Sequence, residues 1–110
     1  MKVSYRQAAN DDVVPQFRYY LVRLDVPEVA NRFRGAVRRT VQSLCQHPFA
    51  GPHFHLGNPR LQNLRTWPVA GFEAIRIYYT PEEDAICVIR VLHGKRDVQR
   101  ILARERLSDR

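Results

Sequence analysis

Arg76, His93 and Arg96 stand in the last third of this 110-residue chain. They are the residues whose types best suit phosphodiester chemistry. Cleavage of RNA by its own 2′-hydroxyl needs a base, an acid and cations facing the charge that grows on the phosphate oxygens. Arg65, Arg76 and Arg96 can supply cations, and His93 can take or give one proton near neutral pH. Each residue also has a plainer role. His93 can end a strand and bond a backbone carbonyl, Arg76 can be an exposed strand arginine, and Arg65 can pair across strands with Glu73. His53-x-His55 invites a metal, but no cysteine or carboxylate lies beside it to complete a site. The expectation is surface histidines, with no metal and no cofactor. Arg90 lies among apolar strand residues and needs a carboxylate if buried, with Asp97 or Glu105 as candidates.

Eighteen basic residues stand against eleven acidic ones, giving a net charge of +7, and sixteen of the eighteen are arginine. No Asp or Glu occurs between Val29 and Phe72, a stretch that holds Arg32, Arg34, Arg38, Arg39, Arg60 and Arg65. So lopsided a field favours an anionic partner, and the planar fork of arginine binds carboxylate or phosphate at two points. Arg32, Arg38, Arg39 and Arg65 are the expected partner-binding residues.

The elements that must position these side chains follow from periodicity. Lys2 to Ala8 alternates weakly and reads as a first strand. Asn10-Asp11-Asp12 offers N-cap chemistry for a helix, with Pro15 in its first turn and Phe17, Tyr20, Leu21 and Leu24 as its apolar stripe. Asp25-Val26-Pro27-Glu28 resembles a capping box with Asp25 as cap. Val29, Phe33, Val37, Val41 and Leu44 then recur at helical spacing, with Arg32, Arg38, Arg39 and Gln42 opposite. The short link makes the two helices an antiparallel hairpin. His47-Pro48 ends the second helix, and a loop rich in proline, glycine and histidine runs to Arg60.

Leu61 to Val69 reads as an extended segment, bulged or at an edge near Pro68. Ala70-Gly71 is a turn, and Phe72 to Thr80 alternates as a strand. Pro81-Glu82-Glu83-Asp84 is a hairpin turn. Ala85 to Leu92 is apolar and β-branched, as a strand covered on both faces should be. Lys95 to Leu107 can form a last helix on Val98, Ile101, Leu102 and Leu107. The expected class is α+β, in the order β-α-α-β-β-β-α. A helical hairpin packs on one face of a largely antiparallel sheet, whose other face is left comparatively open.

Composition bounds the rest. An apolar fraction of 45% and a charged fraction of 26% are those of an ordinary globular protein. The length suits one domain, residues 1–110, with a modest core. There is no signal-peptide pattern and no apolar stretch able to span a bilayer. The expectation is a cytoplasmic chain with Cys45 and Cys87 reduced and unbridged.

The pattern Phe72-x-x-x-Arg76-Ile77-x-Tyr79, followed by Val91-Leu92-His93-Gly94-Lys95-Arg96-Asp97, resembles the RelE/ParE toxin superfamily. The helix order agrees over nearly the whole chain. Trp67-Pro68-Val69 and the spacing from Gly71 to Arg76 look like its ParE and plasmid-stabilisation branch. The resemblance implies the growth-inhibiting toxin of a type II toxin–antitoxin pair, held in a hetero-oligomer by a cognate acidic antitoxin. RelE-type members cut ribosome-bound mRNA, and Arg76 and Arg96 match the two arginines these enzymes place around the scissile phosphate. The tyrosine expected six residues after Arg96 is Leu102 here, and no tyrosine follows Tyr79. That departure points to the ParE type, which inhibits DNA gyrase by protein contact. Catalytic roles for Arg76, His93 and Arg96 hold only if the chain is a nuclease. A non-toxic basic nucleic-acid-binding domain is a third alternative.

Overall fold

The computed structural model describes residues 2–56, 59–94 and 96–105. Its elements are β1 (Lys2–Tyr5), α1 (Gln7–Arg18), a π-turn (Tyr19–Arg23), α2 (Pro27–Gln46), β2 (Arg65–Val69), β3 (Phe72–Glu82), β4 (Ala85–His93) and α3 (Val98–Ala103). The sheet is four-stranded in the order β1-β4-β3-β2. β1 runs parallel to β4, while β2–β3 and β3–β4 are antiparallel. The expected α+β class and element order both hold. The ladder shifts register between Pro68 and Val69, on the edge strand β2. That is where a residue without an N–H is tolerated.

The helical hairpin buries its apolar stripe on one face. Phe33, Val37, Val41 and Leu44 of α2 meet Ile75, Ile77 and Tyr79 of β3 and Ile86, Val88 and Val91 of β4. The opposite face is not open, contrary to the expectation. Val98 and Leu102 of α3 and Leu61 and Leu64 of the loop before β2 cover Tyr78, Ile89 and Leu92. The cause is legible in β4 itself: a strand apolar on both sides demands two covers, and α3 with the loop supplies the second. The contribution of Leu107 lies outside the described residues.

Helix boundaries depart from expectation in an instructive way. β1 ends at Tyr5, and α1 starts at Gln7 without a side-chain cap, because the Arg6 N–H is held by the Val88 carbonyl at 3.0 Å. Asn10-Asp11-Asp12 therefore lies inside the helix, and so does Pro15. Pro15 has no N–H for the carbonyl four residues back. The π-turn follows, with the Leu24 N–H donating to Tyr19 (3.2 Å) and Val26 to Tyr20 (3.0 Å). A π-turn carries one residue more than an α-turn, so it rotates the side chains beyond it off the stripe. Leu21 and Leu24, expected in the core, are 40% and 49% exposed as a result. Asp25 does not cap α2: its φ of 51° is left-handed, and Val26 stands at the cap position with Pro27 first in the helix.

The long loop after α2 is pinned along the edge of β2. The Tyr79 hydroxyl donates to the Pro48 carbonyl (2.9 Å) and accepts from the Gly51 N–H (3.1 Å). Thr66 donates its N–H to Pro52 (3.1 Å). This clamp occupies edge groups that would otherwise invite pairing with another chain. A Cβ at Gly51 would lie 2.6 Å from the Thr66 carbonyl and 2.8 Å from the Tyr79 hydroxyl. Gly51→Ala should therefore cost about 1–3 kcal/mol, the usual penalty for overpacking against atoms that cannot yield. Urea melts of the two proteins would measure it, and equal midpoints would show the clamp to be loose.

Burial pushes the phenols of Tyr5, Tyr78 and Tyr79 above their ordinary value of 10.0. Nearby arginines work against this: Arg38 at Tyr5, Arg76 at Tyr78 and Arg65 at Tyr79. A folded-state value above the unfolded one means the unfolded chain releases its protons first. The stability these phenols contribute is whole below about pH 10 and is lost as pH rises through the higher folded values. Urea midpoints should accordingly hold steady to about pH 9.5 and fall beyond it.

Candidate functional site

β4 carries the chemistry of this molecule, because its irregularity re-aims side chains. Tyr78 pairs with Arg90 and Tyr79 with Val88, so Ile89 is an extra residue with no opposite number in β3. The bulge breaks the alternation: Val88 and Val91 both face the hairpin, while Ile89 and Leu92 face α3. Arg90 sits at the slip, beyond the last β1 pair, Tyr5 with Val88. There Asp12 of α1 takes the place of the missing strand. Its carboxylate accepts from Arg90 Nε (2.7 Å) and Nη2 (2.8 Å), and from the Val91 N–H (2.9 Å). Glu105, just past α3, approaches Arg90 Nη1 at 3.6 Å. The hydrogen bonds that Arg90 donates to Asp12, then the charges of Asp12 and Glu105, raise the Arg90 pKa against the opposing effect of burial. Arg90 thus has two carboxylate partners, Asp12 and the expected Glu105. Asp97, the other candidate, instead accepts from the Arg100 N–H at the start of α3.

His93 and Arg96 flank the end of β4. The Gly94 N–H donates to Ala74 (2.8 Å) and the Arg96 N–H to the His93 carbonyl (3.0 Å), which sets a tight turn between them. Both residues line a cleft of about 670 Å³ between α1, the π-turn and the sheet. Its wall is aromatic: Phe33 lies 5.8 Å from Tyr20 and 5.3 Å from Phe72, between ring centroids. Asp11, Asp12 and Glu73 also face it.

Arg76 belongs elsewhere. Its strand neighbours Ile75 and Ile77 face the hairpin, and its partner across the ladder, Leu92, lies in the cluster under α3. Arg76 Nε donates to Thr66 Oγ1 at 3.1 Å. His93 pairs with Ile75 and opens on the hairpin side. The sheet therefore stands between Arg76 and His93, and the three candidate catalytic residues do not converge. Leu102, where the nuclease branch is expected to carry tyrosine, is fully buried among core side chains.

Arg65 does not pair with Glu73. Its guanidinium grips the loop, donating from Nη1 to the carbonyls of Phe49 (3.1 Å) and Gly51 (2.7 Å) and lying 5.0 Å over the Phe49 ring. Nη2 meets His53 Nε2 at 3.1 Å, so that nitrogen must be the acceptor. Glu73 accepts instead from the Gly71 N–H, at 2.6 Å, where a φ of 82° suits glycine. His53 and His55 stack at 5.8 Å. Cys45 and Cys87 are free thiols. Arg32, Arg38 and Arg39 lie exposed on α2. Sequence reasoning missed the role of Asp12, taken for a cap, and the apolar end of the hairpin. There Val14, Tyr19, Leu21, Val22 and Leu24 stand exposed.

A helical hairpin on a four-stranded mixed sheet is the arrangement expected of the RelE/ParE class. A family model for the ParE toxin of type II toxin–antitoxin systems, parDE, matches residues 3–98, and the chain belongs to that family. It is thus the toxin component of such a system, which implies an antitoxin partner. Among solved structures it is similar to a chain of the chromosomal ParDE TA system from P. aeruginosa. The TM-score is 0.65 at 20% identity, over 84% of this chain and 95% of that one, a likeness of fold. No curated protein matches the sequence significantly. Among the described residues, no helix is long and apolar enough to cross a membrane.

Proposed function

We propose that this toxin acts in the cytoplasm by binding DNA gyrase through protein–protein contact, and that a small acidic antitoxin neutralises it. The observation that carries this reading is the separation of Arg76 from His93 by the sheet. A phosphate cannot be met by both at once, and a buried Leu102 supplies no acid or base. Losing a positioned acid or base typically costs about 10²–10⁴ in rate. An inhibitor by contact needs no such convergence; it needs exposed apolar anchors, and the hairpin end presents them. The aromatic cleft beside it is the seat we assign to the antitoxin's apolar side chains.

The test is a supercoiling assay. Purified toxin should stop gyrase from supercoiling relaxed plasmid, and the small acidic protein encoded beside it should restore the activity. Undiminished supercoiling at saturating toxin would sink the gyrase assignment while leaving family membership intact.

A further inference from the structure

The exposed face of α2 is unlike the rest of the surface. After Pro27, every exposed residue of this helix is polar or charged. Arg32, Arg34, Arg38 and Arg39 are all exposed, Glu28 is the helix's only carboxylate, and no ion pair reaches those arginines among the described residues. Two of them are held in place: Arg34 lies 4.2 Å over the Phe17 ring and Arg32 6.0 Å over Phe72. At the centre of the face is Gly35, where an added Cβ would touch only the flexible Arg39 guanidinium, at 2.9 Å. Internal packing does not require a glycine there, and mid-helix glycine weakens a helix. A glycine framed by arginines lets another molecule's backbone come close.

We propose that this face docks on the phosphate backbone of duplex DNA. A protein partner is the weaker fit, because the centre of a protein interface is apolar and this face exposes no apolar side chain beyond Pro27. Single strands are held by stacking on exposed aromatics, and Phe17 and Phe72 are half-buried beneath arginines. A helix about 10–12 Å across fits the B-form major groove of about 12 Å, whereas the A-form major groove of RNA is too narrow. Arg32 and Arg38 are six residues apart, about 120° round the helix axis and on either side of Gly35, so they can reach phosphates on both walls. Arg32, Arg38 and Arg39, expected from the sequence to bind an anionic partner, are thereby assigned to DNA. The assignment does not rest on the gyrase reading, since its test contains toxin and DNA alone.

Binding of the full chain to a mixed-sequence duplex, followed by fluorescence anisotropy across a salt series, tests it. The Arg32→Gln/Arg38→Gln/Arg39→Gln variant should lose most of its affinity, and its log–log salt slope should shrink by about 2.7, or about 0.9 for each lost contact. The matching triple lysine variant should keep the slope, which guards against a folding artefact. Gly35→Leu should weaken binding by blocking approach while leaving the helix intact. Duplex RNA and polyglutamate should bind less well. An unchanged slope in the glutamine variant, or equal affinity for duplex RNA or polyglutamate, would overturn the proposal.

Discussion

Asp12→Ala should be among the most damaging single substitutions in this protein. The Asp12 side chain is 6% exposed and accepts three hydrogen bonds, two from Arg90 and one from the Val91 N–H. Its removal leaves a largely buried guanidinium with only the more distant Glu105, and a strand N–H with nothing in place of a ladder partner. Stranding a buried charge in this way costs about 3–5 kcal/mol. At about 4 °C or more per kcal/mol for a domain of this size, the melting temperature should fall by more than about 10 °C. Adding Arg90→Met should recover much of the loss, because the desolvation cost of the arginine disappears with it. A single mutant within about 0.5 kcal/mol of wild type, the range of ordinary surface changes, would mean that the ion pair is solvated.

Phe33→Ala should rank beside it. Phe33 is fully buried and joins α2 to the π-turn through Tyr20 and to β3 through Phe72. Truncation of such a ring costs about 3–5 kcal/mol, with the spread set by how far the site collapses. The same ring forms part of the cleft wall, so antitoxin affinity should fall as well as stability. A partner that binds only the folded toxin stabilises it by mass action. Co-expressed antitoxin should therefore return the variant to the soluble fraction, at a higher antitoxin level than wild type needs. Full antitoxin affinity in a destabilised Phe33→Ala would place the partner elsewhere.

The sequence made the framework legible where one period dominated. The stripe from Phe33 to Leu44 named the buried face of α2, and the unbroken apolar run of β4 named the central strand. Pro68 marked the edge and its bulge. Legibility failed where the determinant was tertiary. A π-turn leaves no periodic trace before it forms, so Leu21 and Leu24 looked like core. Asp12 looked like a cap because caps are local, whereas its partner Arg90 is 78 residues away. Arg65 looked available because nothing in its own strand shows that loop carbonyls will reach it. The candidate site suffered most from the β4 bulge: spacing alone put Arg76 and His93 in one pattern, and only the register assigns them to opposite faces.

The most direct test places one toxin preparation in two reactions, a gyrase supercoiling assay and a translating extract read by primer extension on the mRNA. Expected is inhibition of supercoiling with intact mRNA, and the same inhibition, within a few-fold, from His93→Ala and Arg76→Ala. Cuts in ribosome-bound mRNA that vanish in His93→Ala, with gyrase untouched, would contradict it.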